Sequence, residues 1–156
     1  MEIFAIFIVG LLLVPYHLKT KISINAPKDK VLKTLMDTPN YPQWNPFIEN
    51  IKSTLILNKP IEITLNMGDK KMHFNPTITQ MDKNGFSWRG SLGLRYIFDG
   101  EHRFFLEESA NERTIFYHTE RFQGLLVWIF YPTMKQTKRR FELMNRALLL
   151  QAEKRS

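Results

Sequence analysis

Two histidines and one glutamate are the side chains of this sequence that are best suited to acid–base chemistry. His102 precedes the turn Ala110-Asn111-Glu112, and His118 and Glu120 follow it. If the flanking stretches form an antiparallel hairpin, residues whose numbers add to about 221 or 222 lie opposite one another. His102 then faces Glu120 or Thr119, with His118 diagonally close. Because side chains alternate along a strand, His102, His118 and Glu120 share the apolar face.

Three roles for this group remain open from the sequence. A carboxylate beside an imidazole can act as a general acid–base pair, because each group tunes the pKa of the other. The same pair can fix the register of a sheet, or anchor one hydroxyl or carboxylate of a ligand. The structural and anchoring interpretations are favoured. Under the catalytic interpretation, His102 and Glu120 are the candidate residues. No HExxH spacing, phosphate loop or nucleotide fingerprint occurs, so we predict neither a metal nor a cofactor.

The composition is that of one folded domain. The chain has 156 residues, of which 44% are hydrophobic, which excludes a disordered protein. Twelve Phe and seven Met either fill a core or line an adaptable apolar cavity. Since there is no Cys, disulfides, thiolate metal sites and cysteine nucleophiles are excluded.

The hydrophobic pattern predicts a strand, a helix pair, a run of antiparallel strands and a long C-terminal helix. The first strand spans 17–26, and Pro27 begins a helix. A short helical turn is predicted at 47–51, because Pro42 and Pro46 exclude one long helix. Pro132 begins the last helix, whose apolar stripe has helical spacing; it consists of Phe141, Met144, Leu148 and Ala152.

These elements predict an α+β fold in which a curved antiparallel sheet wraps around the C-terminal helix. One helix cannot cover such a sheet along its whole width, so we expect an internal hydrophobic cavity. The residues expected to bind a ligand there are Trp44, Phe74, Trp88, Tyr96, Phe98, His102, Phe104, Phe116, His118, Glu120, Phe122, Phe141 and Met144.

Four segments carry a resemblance to a known superfamily. They are INAPKDKVLKTLMDTPNYPQWNPFI, DGEHRFFLEE, FYHTERFQGLL and FELMNRALLLQAE. Over 22–153 the chain resembles the SRPBCC superfamily, which includes START lipid-binding domains, pollen-allergen-like ligand carriers and polyketide cyclases/dehydratases. The resemblance implies a helix-grip fold with a ligand cavity. It implies no reaction, because the superfamily contains carriers, sensors and enzymes.

We therefore predict that the protein binds a hydrophobic small molecule as a carrier or sensor. The ligand class is a lipid, a polyketide or an isoprenoid-like compound. The alternative is a polyketide cyclase/dehydratase-like enzyme that uses His102 and Glu120 in the cavity.

The N-terminal residues 1–16 form an apolar leader outside the predicted domain at 17–156. Residues 3–14 carry no charge, and the apolar stretch, about 16 residues long if Pro15 and Tyr16 are counted, falls between a signal-peptide core of roughly 7–15 residues and a full span of about 20. No Lys or Arg precedes the run, whereas Lys19 and Lys21 follow it. We predict a single membrane anchor through residues 3–16 and a cytoplasmic domain. Export with a cleaved signal peptide and a buried helix are the alternatives.

The formal net charge is +7, and residues 135–156 hold seven cations against two anions. Such a surface suits an anionic lipid or nucleic acid, or is simply a solvated helix face. We predict no nucleic-acid binding, because the aromatic residues alternate onto the inner face instead of interleaving with exposed cations. The apolar run at 124–132 is either a short buried helix beside the cavity or a lip that touches a membrane.

Overall fold

The computed structural model describes residues 14–91, 99–124, 127, 129 and 131–154. The strands within these residues are β1 Tyr16–Ile24, β2 Ile48–Ile51, β3 Ile63–Asn66, β4 Lys71–Phe74, β5 Thr77–Asp82, β6 Gly85–Ser91, β7 Asp99–Ser109 and β8 Arg113–Gln123. The α-helices are α1 Lys28–Met36, α2 Tyr41–Trp44 and α3 Tyr131–Ala152, and a 3₁₀ turn covers Thr38–Asn40.

The strands form two antiparallel sheets. The larger has the order β1-β8-β7-β6-β5, and the smaller has the order β2-β3-β4. Pro76 separates β4 from β5, and its missing N–H prevents a continuous ladder there. An isolated bridge joins Pro60, in the segment before β3, to Thr77 at the start of β5.

Helix α3 packs against the concave side of the larger sheet. Its predicted stripe is confirmed, since Phe141, Met144, Leu148 and Ala152 are fully buried. Such a stripe at intervals of three and four buries one face of a helix. Helix α1 adds Val31 to the same core.

The predicted register of the central hairpin is also confirmed. His102 pairs with Glu120, and Phe104 pairs with His118. The turn between β7 and β8 contains Asn111, whose φ is 61°. Asn tolerates this left-handed conformation better than most residues do.

The short helix lies earlier than predicted. It covers Tyr41–Trp44, whereas Ile48–Ile51 is strand β2. The Asn45 carboxamide oxygen accepts the backbone N–H groups of Phe47 and Ile48, at 3.0 and 2.9 Å. This Asx-type turn ends the helix, and Ile48 is then fully buried in the small sheet.

Two predicted segments fall partly outside the described residues. The leader at 1–16 is described only from residue 14 onwards, so membrane association remains a prediction. None of the helices in the described ranges is long and apolar enough to cross a bilayer. Within 124–132, Val127 is buried and Ile129 is 67% exposed.

Candidate ligand-binding site

A cavity of about 90 Å³ lies between the larger sheet, the β3–β4 hairpin and α3. Its walls are predominantly apolar, and they are formed by Phe47, Leu65, Met67, Met72, Phe74, Trp88, Gly90, Ser91, Gly100, Glu120, Phe122 and Thr137. Among these described residues, Glu120 is the one ionisable side chain.

Two paired glycines keep part of the cavity wall free of side chains. Gly90 on β6 lies opposite Gly100 on β7. A β-carbon at Gly100 would lie 3.0 Å from Glu120 Oε1, and one at Gly90 would lie 3.2 Å from Pro76 Cβ. Both distances are tighter than ordinary van der Waals contacts. Glycines in the interior of strands often mark such a close approach, and this signal is present in SWRGS and FDGE although our sequence analysis did not use it.

Behind Glu120, a chain of polar contacts runs from the cavity to α3 and β1. Glu120 Oε2 lies 3.6 Å from His102 Nδ1. The Nε2 atoms of His102 and His118 are 2.8 Å apart, and His118 Nδ1 is 2.8 Å from Asn145 Oδ1. Asn145 Nδ2 donates to Thr20 Oγ1 at 2.9 Å, and the Thr20 hydroxyl donates to the His118 carbonyl oxygen at 3.0 Å. We call this group the Glu120–Thr20 network.

Aromatic rings enclose both histidines. Trp88 stacks on His102 with ring centroids 4.6 Å apart, and Phe141 stacks on His118 at 3.6 Å and an interplanar angle of 8°. Only 3% of the His102 surface and none of the His118 surface is exposed. Because the rings exclude water, charge on either imidazole is poorly solvated.

Burial therefore favours the neutral form of every ionisable member of the network. It lowers the pKa of His102 to about 3. It also holds the pKa of His118 well below its ordinary value, and the neighbouring His102 acts in the same direction. Burial raises the pKa of Glu120 to about 8, so this carboxyl is mostly protonated at neutral pH. The pair is thus a carboxylic acid beside a neutral imidazole, and not an ion pair.

Four predicted ligand-binding residues line the cavity, namely Phe74, Trp88, Glu120 and Phe122. Six others are buried between the sheet and α3 but are not in the cavity wall; they are His102, Phe104, Phe116, His118, Phe141 and Met144. The structure places Trp44 elsewhere, edge-on against Tyr41 with centroids 5.0 Å apart. Tyr96 and Phe98 lie outside the described residues.

In the wall opposite the larger sheet, Phe74 was predicted but its neighbours were not. Leu65, Met67 and Met72 come from the β3–β4 hairpin, and Thr137 comes from α3. The period-two pattern of β3 identifies its apolar face, but it does not reveal what that face packs against. Within the described residues, no group of three or more His, Asp or Glu could hold a metal ion.

Three solved structures share this architecture over nearly the whole chain. The Zhui aromatase/cyclase from a Streptomyces species superposes with a TM-score of 0.73 at 15% identity, covering 90% of this chain and 94% of that one. The chain adopts the helix-grip fold. A START superfamily protein from Mycobacterium smegmatis gives a TM-score of 0.70 at 16% identity, covering 88% and 97%. Truncated norcoclaurine synthase from Thalictrum flavum gives 0.71 at 11% identity, covering 92% and 97%.

These neighbours confirm the predicted fold class and the resemblance to the START/SRPBCC superfamily at the level of the fold. No protein-family model and no curated protein matches the sequence. The three neighbours are an aromatase/cyclase, a norcoclaurine synthase and a START superfamily protein. The shared fold therefore leaves the activity to be argued from the site.

Proposed function

We propose that this protein binds a small hydrophobic molecule in the internal cavity, as a carrier or sensor. The observation that carries the proposal is an apolar cavity between the sheet and α3 whose one ionisable wall residue among those described is Glu120. Ligand sites typically combine such apolar walls with a few polar groups that orient the ligand. The aromatase/cyclase and START proteins of the same fold agree with an apolar ligand.

The size of the cavity limits what it holds in this conformation. Its volume of about 90 Å³ is below the roughly 300–1,000 Å³ of sites for drug-sized ligands. A single aromatic ring, or one end of a longer molecule, is the matching size. Met67 and Met72 in the β3–β4 wall are adaptable side chains, so a larger ligand would be accommodated by changes in their rotamers.

A cyclase/dehydratase-like enzyme is the second candidate, and one observation favours it. His102 Nδ1 lies 3.6 Å behind Glu120 Oε2, where a neutral imidazole could orient the carboxyl group for general acid catalysis. His102 itself is not in the cavity wall, although a general base must come within about 2.6–3.2 Å of the proton it removes. Glu120 is the member of the pair that reaches the cavity, and in its protonated form it would act as a general acid.

Organic extraction and native mass spectrometry of the full-length protein test the binding proposal, together with titration of the purified protein with p-xylene. Met72→Trp adds volume inside the cavity, and Met81→Trp is the matched control because Met81 is 37% exposed on β5. We expect the wild type and Met81→Trp either to release an apolar compound on extraction or to bind p-xylene saturably. Met72→Trp should do neither.

Equal binding by Met72→Trp and Met81→Trp would show that the ligand lies elsewhere. A wild-type protein that yields no extractable compound and binds no p-xylene would overturn the proposal. Circular dichroism of both variants distinguishes loss of binding from loss of folding.

A further inference from the structure

We infer that the cavity selects apolar ligands that carry a hydroxyl or phenol group, which donates a hydrogen bond to Glu120 Oε1. This inference rests on the proposed function, because it names the ligand class of the same cavity. It follows from the direction of the hydrogen bonds that run from Thr20 to His102 and from the contact between His102 and Glu120.

The direction is set at the end farthest from the cavity. The His118 carbonyl oxygen can only accept, so the Thr20 hydroxyl donates its single proton to it. Thr20 Oγ1 must then accept from Asn145, which requires the amide nitrogen of Asn145 to face Thr20. The Asn145 carboxamide oxygen consequently faces His118 Nδ1, and that nitrogen carries a proton.

The two imidazoles share the next hydrogen bond of the network. A neutral His118 that is protonated on Nδ1 has a bare Nε2, which accepts a hydrogen bond. At 2.8 Å from that nitrogen, His102 Nε2 must be the donor. A neutral His102 that is protonated on Nε2 therefore presents an unprotonated Nδ1 to Glu120.

This bare nitrogen determines where the carboxyl proton lies. His102 Nδ1 faces Glu120 Oε2 at 3.6 Å, a few tenths of an ångström beyond the usual hydrogen-bond range. At this distance the two groups form no hydrogen bond, but the bare lone pair of Nδ1 repels a second lone pair, which favours the carboxyl proton on Oε2 over Oε1. The other oxygen, Oε1, lies beside Gly100 in the cavity wall, and a carbonyl-type oxygen there can only accept.

The ligand must supply the complementary group. A hydroxyl or phenol donates to Glu120 Oε1, while the apolar side chains of the wall contact the rest of the molecule. An ether or ketone of the same shape offers only acceptors, so it would leave Oε1 desolvated and unpaired. An unpaired buried acceptor costs about 1–3 kcal/mol, which corresponds to roughly 5- to 150-fold in affinity.

Three probes of similar size test this inference: p-cresol, p-xylene and 4-methylanisole. They are titrated into the full-length wild type, Glu120→Leu and Glu120→Gln, with Trp88 fluorescence as the readout because Trp88 lines the cavity. Each variant is compared by its ratio of p-cresol affinity to p-xylene affinity, so the different hydration of the free probes cancels. We expect Glu120→Leu to lower this ratio by about tenfold and to leave the ratio of 4-methylanisole to p-xylene unchanged.

Glu120→Gln distinguishes the direction of the network from a mere need for polarity. Its amide N–H₂ can donate to the bare His102 Nδ1 and leave its carbonyl oxygen facing the cavity, so the p-cresol preference should be kept. If Glu120→Gln instead preferred 4-methylanisole to p-cresol, the deduced direction of the hydrogen bonds in the Glu120–Thr20 network would be wrong. Binding of p-xylene with an unchanged p-cresol ratio in Glu120→Leu would refute the inference alone, whereas absence of p-xylene binding by the wild type would refute the proposed function.

Discussion

Replacing Glu120 by Gln should change how the stability of the protein depends on pH. The folded state raises the pKa of Glu120 from its ordinary value of 4.5 to about 8 because the carboxyl is buried. Between these two pH values the folded protein keeps a proton that the unfolded chain releases. Stability therefore falls as pH rises through this window, by about 1.4 kcal/mol per pH unit.

The two histidines act in the opposite direction, but only at lower pH. Burial lowers the pKa of His102 from 6.5 to about 3, and it lowers that of His118 as well. Below pH 6.5 the two imidazoles take up protons in the unfolded chain but stay unprotonated in the folded protein. The histidine contribution to stability is therefore lost as pH falls. Between pH 4.5 and 6.5, the stability lost at the two histidines as pH falls exceeds the stability gained at Glu120. Above pH 6.5, Glu120 alone of these three groups changes the stability.

The network should thus give the wild type a local maximum of stability near pH 6.5. Between pH 6.5 and 8 the contribution of Glu120 amounts to about 2 kcal/mol. Gln has the size of a protonated Glu and does not titrate, so Glu120→Gln removes this decline. Contributions from other groups are common to both proteins and cancel in the difference.

Urea unfolding of the full-length proteins, followed by tryptophan fluorescence at several pH values from 6.5 to 8, measures the effect. We expect the free energies of unfolding to diverge by about 2 kcal/mol towards pH 8 in favour of Glu120→Gln. Glu142→Gln is the control, because that side chain is 56% exposed on α3, and its curve should run parallel to the wild type. Parallel curves for Glu120→Gln as well would mean that the carboxyl of Glu120 is already ionised at neutral pH, which would refute its raised pKa.

Two further substitutions test the supports of the site, both by urea unfolding. Asn145→Leu removes one hydrogen-bond partner of the His118 imidazole and leaves the Phe141 backbone carbonyl as the other, so it should cost about 1 kcal/mol; a loss below about 0.3 kcal/mol would show that the amide is not needed. Arg140 donates from α3 to the Met67 carbonyl oxygen at the end of β3, so Arg140→Met should cost about 1–3 kcal/mol. The exposed neighbour Arg139 provides the control, since Arg139→Met should change stability by less than about 0.5 kcal/mol, and equal losses would contradict the role of Arg140.

Local periodicity was sufficient to predict the elements with long, regular patterns. The buried stripe of α3 and the facing of His102 and Glu120 across the hairpin both follow from sequence spacing. In each case the geometry is set within one helix or across one tight turn, where helix and strand periods apply directly.

Short, proline-containing segments were less predictable. Phe47 to Ile51 was expected to be helical, yet Ile48 and Ile51 join the small sheet through pairing with β3. A four-residue strand has too little pattern to be distinguished from a helical turn, and the partner that stabilises it lies elsewhere in the chain. The position of Trp44 outside the cavity has the same origin, because it follows from how α2 packs and not from the local sequence.

The sequence by itself determined which chemical groups share the inner face of the sheet, because alternation along two strands puts His102, His118 and Glu120 there. Only the tertiary structure decided what these groups can do. Asn145 and Thr20 are 125 residues apart in the chain, yet together they orient both imidazoles. Burial then neutralises the carboxyl, since a charge in an apolar surrounding loses the water that would stabilise it. The raised pKa of Glu120, and with it the ligand class that we infer, therefore depends on this long-range assembly.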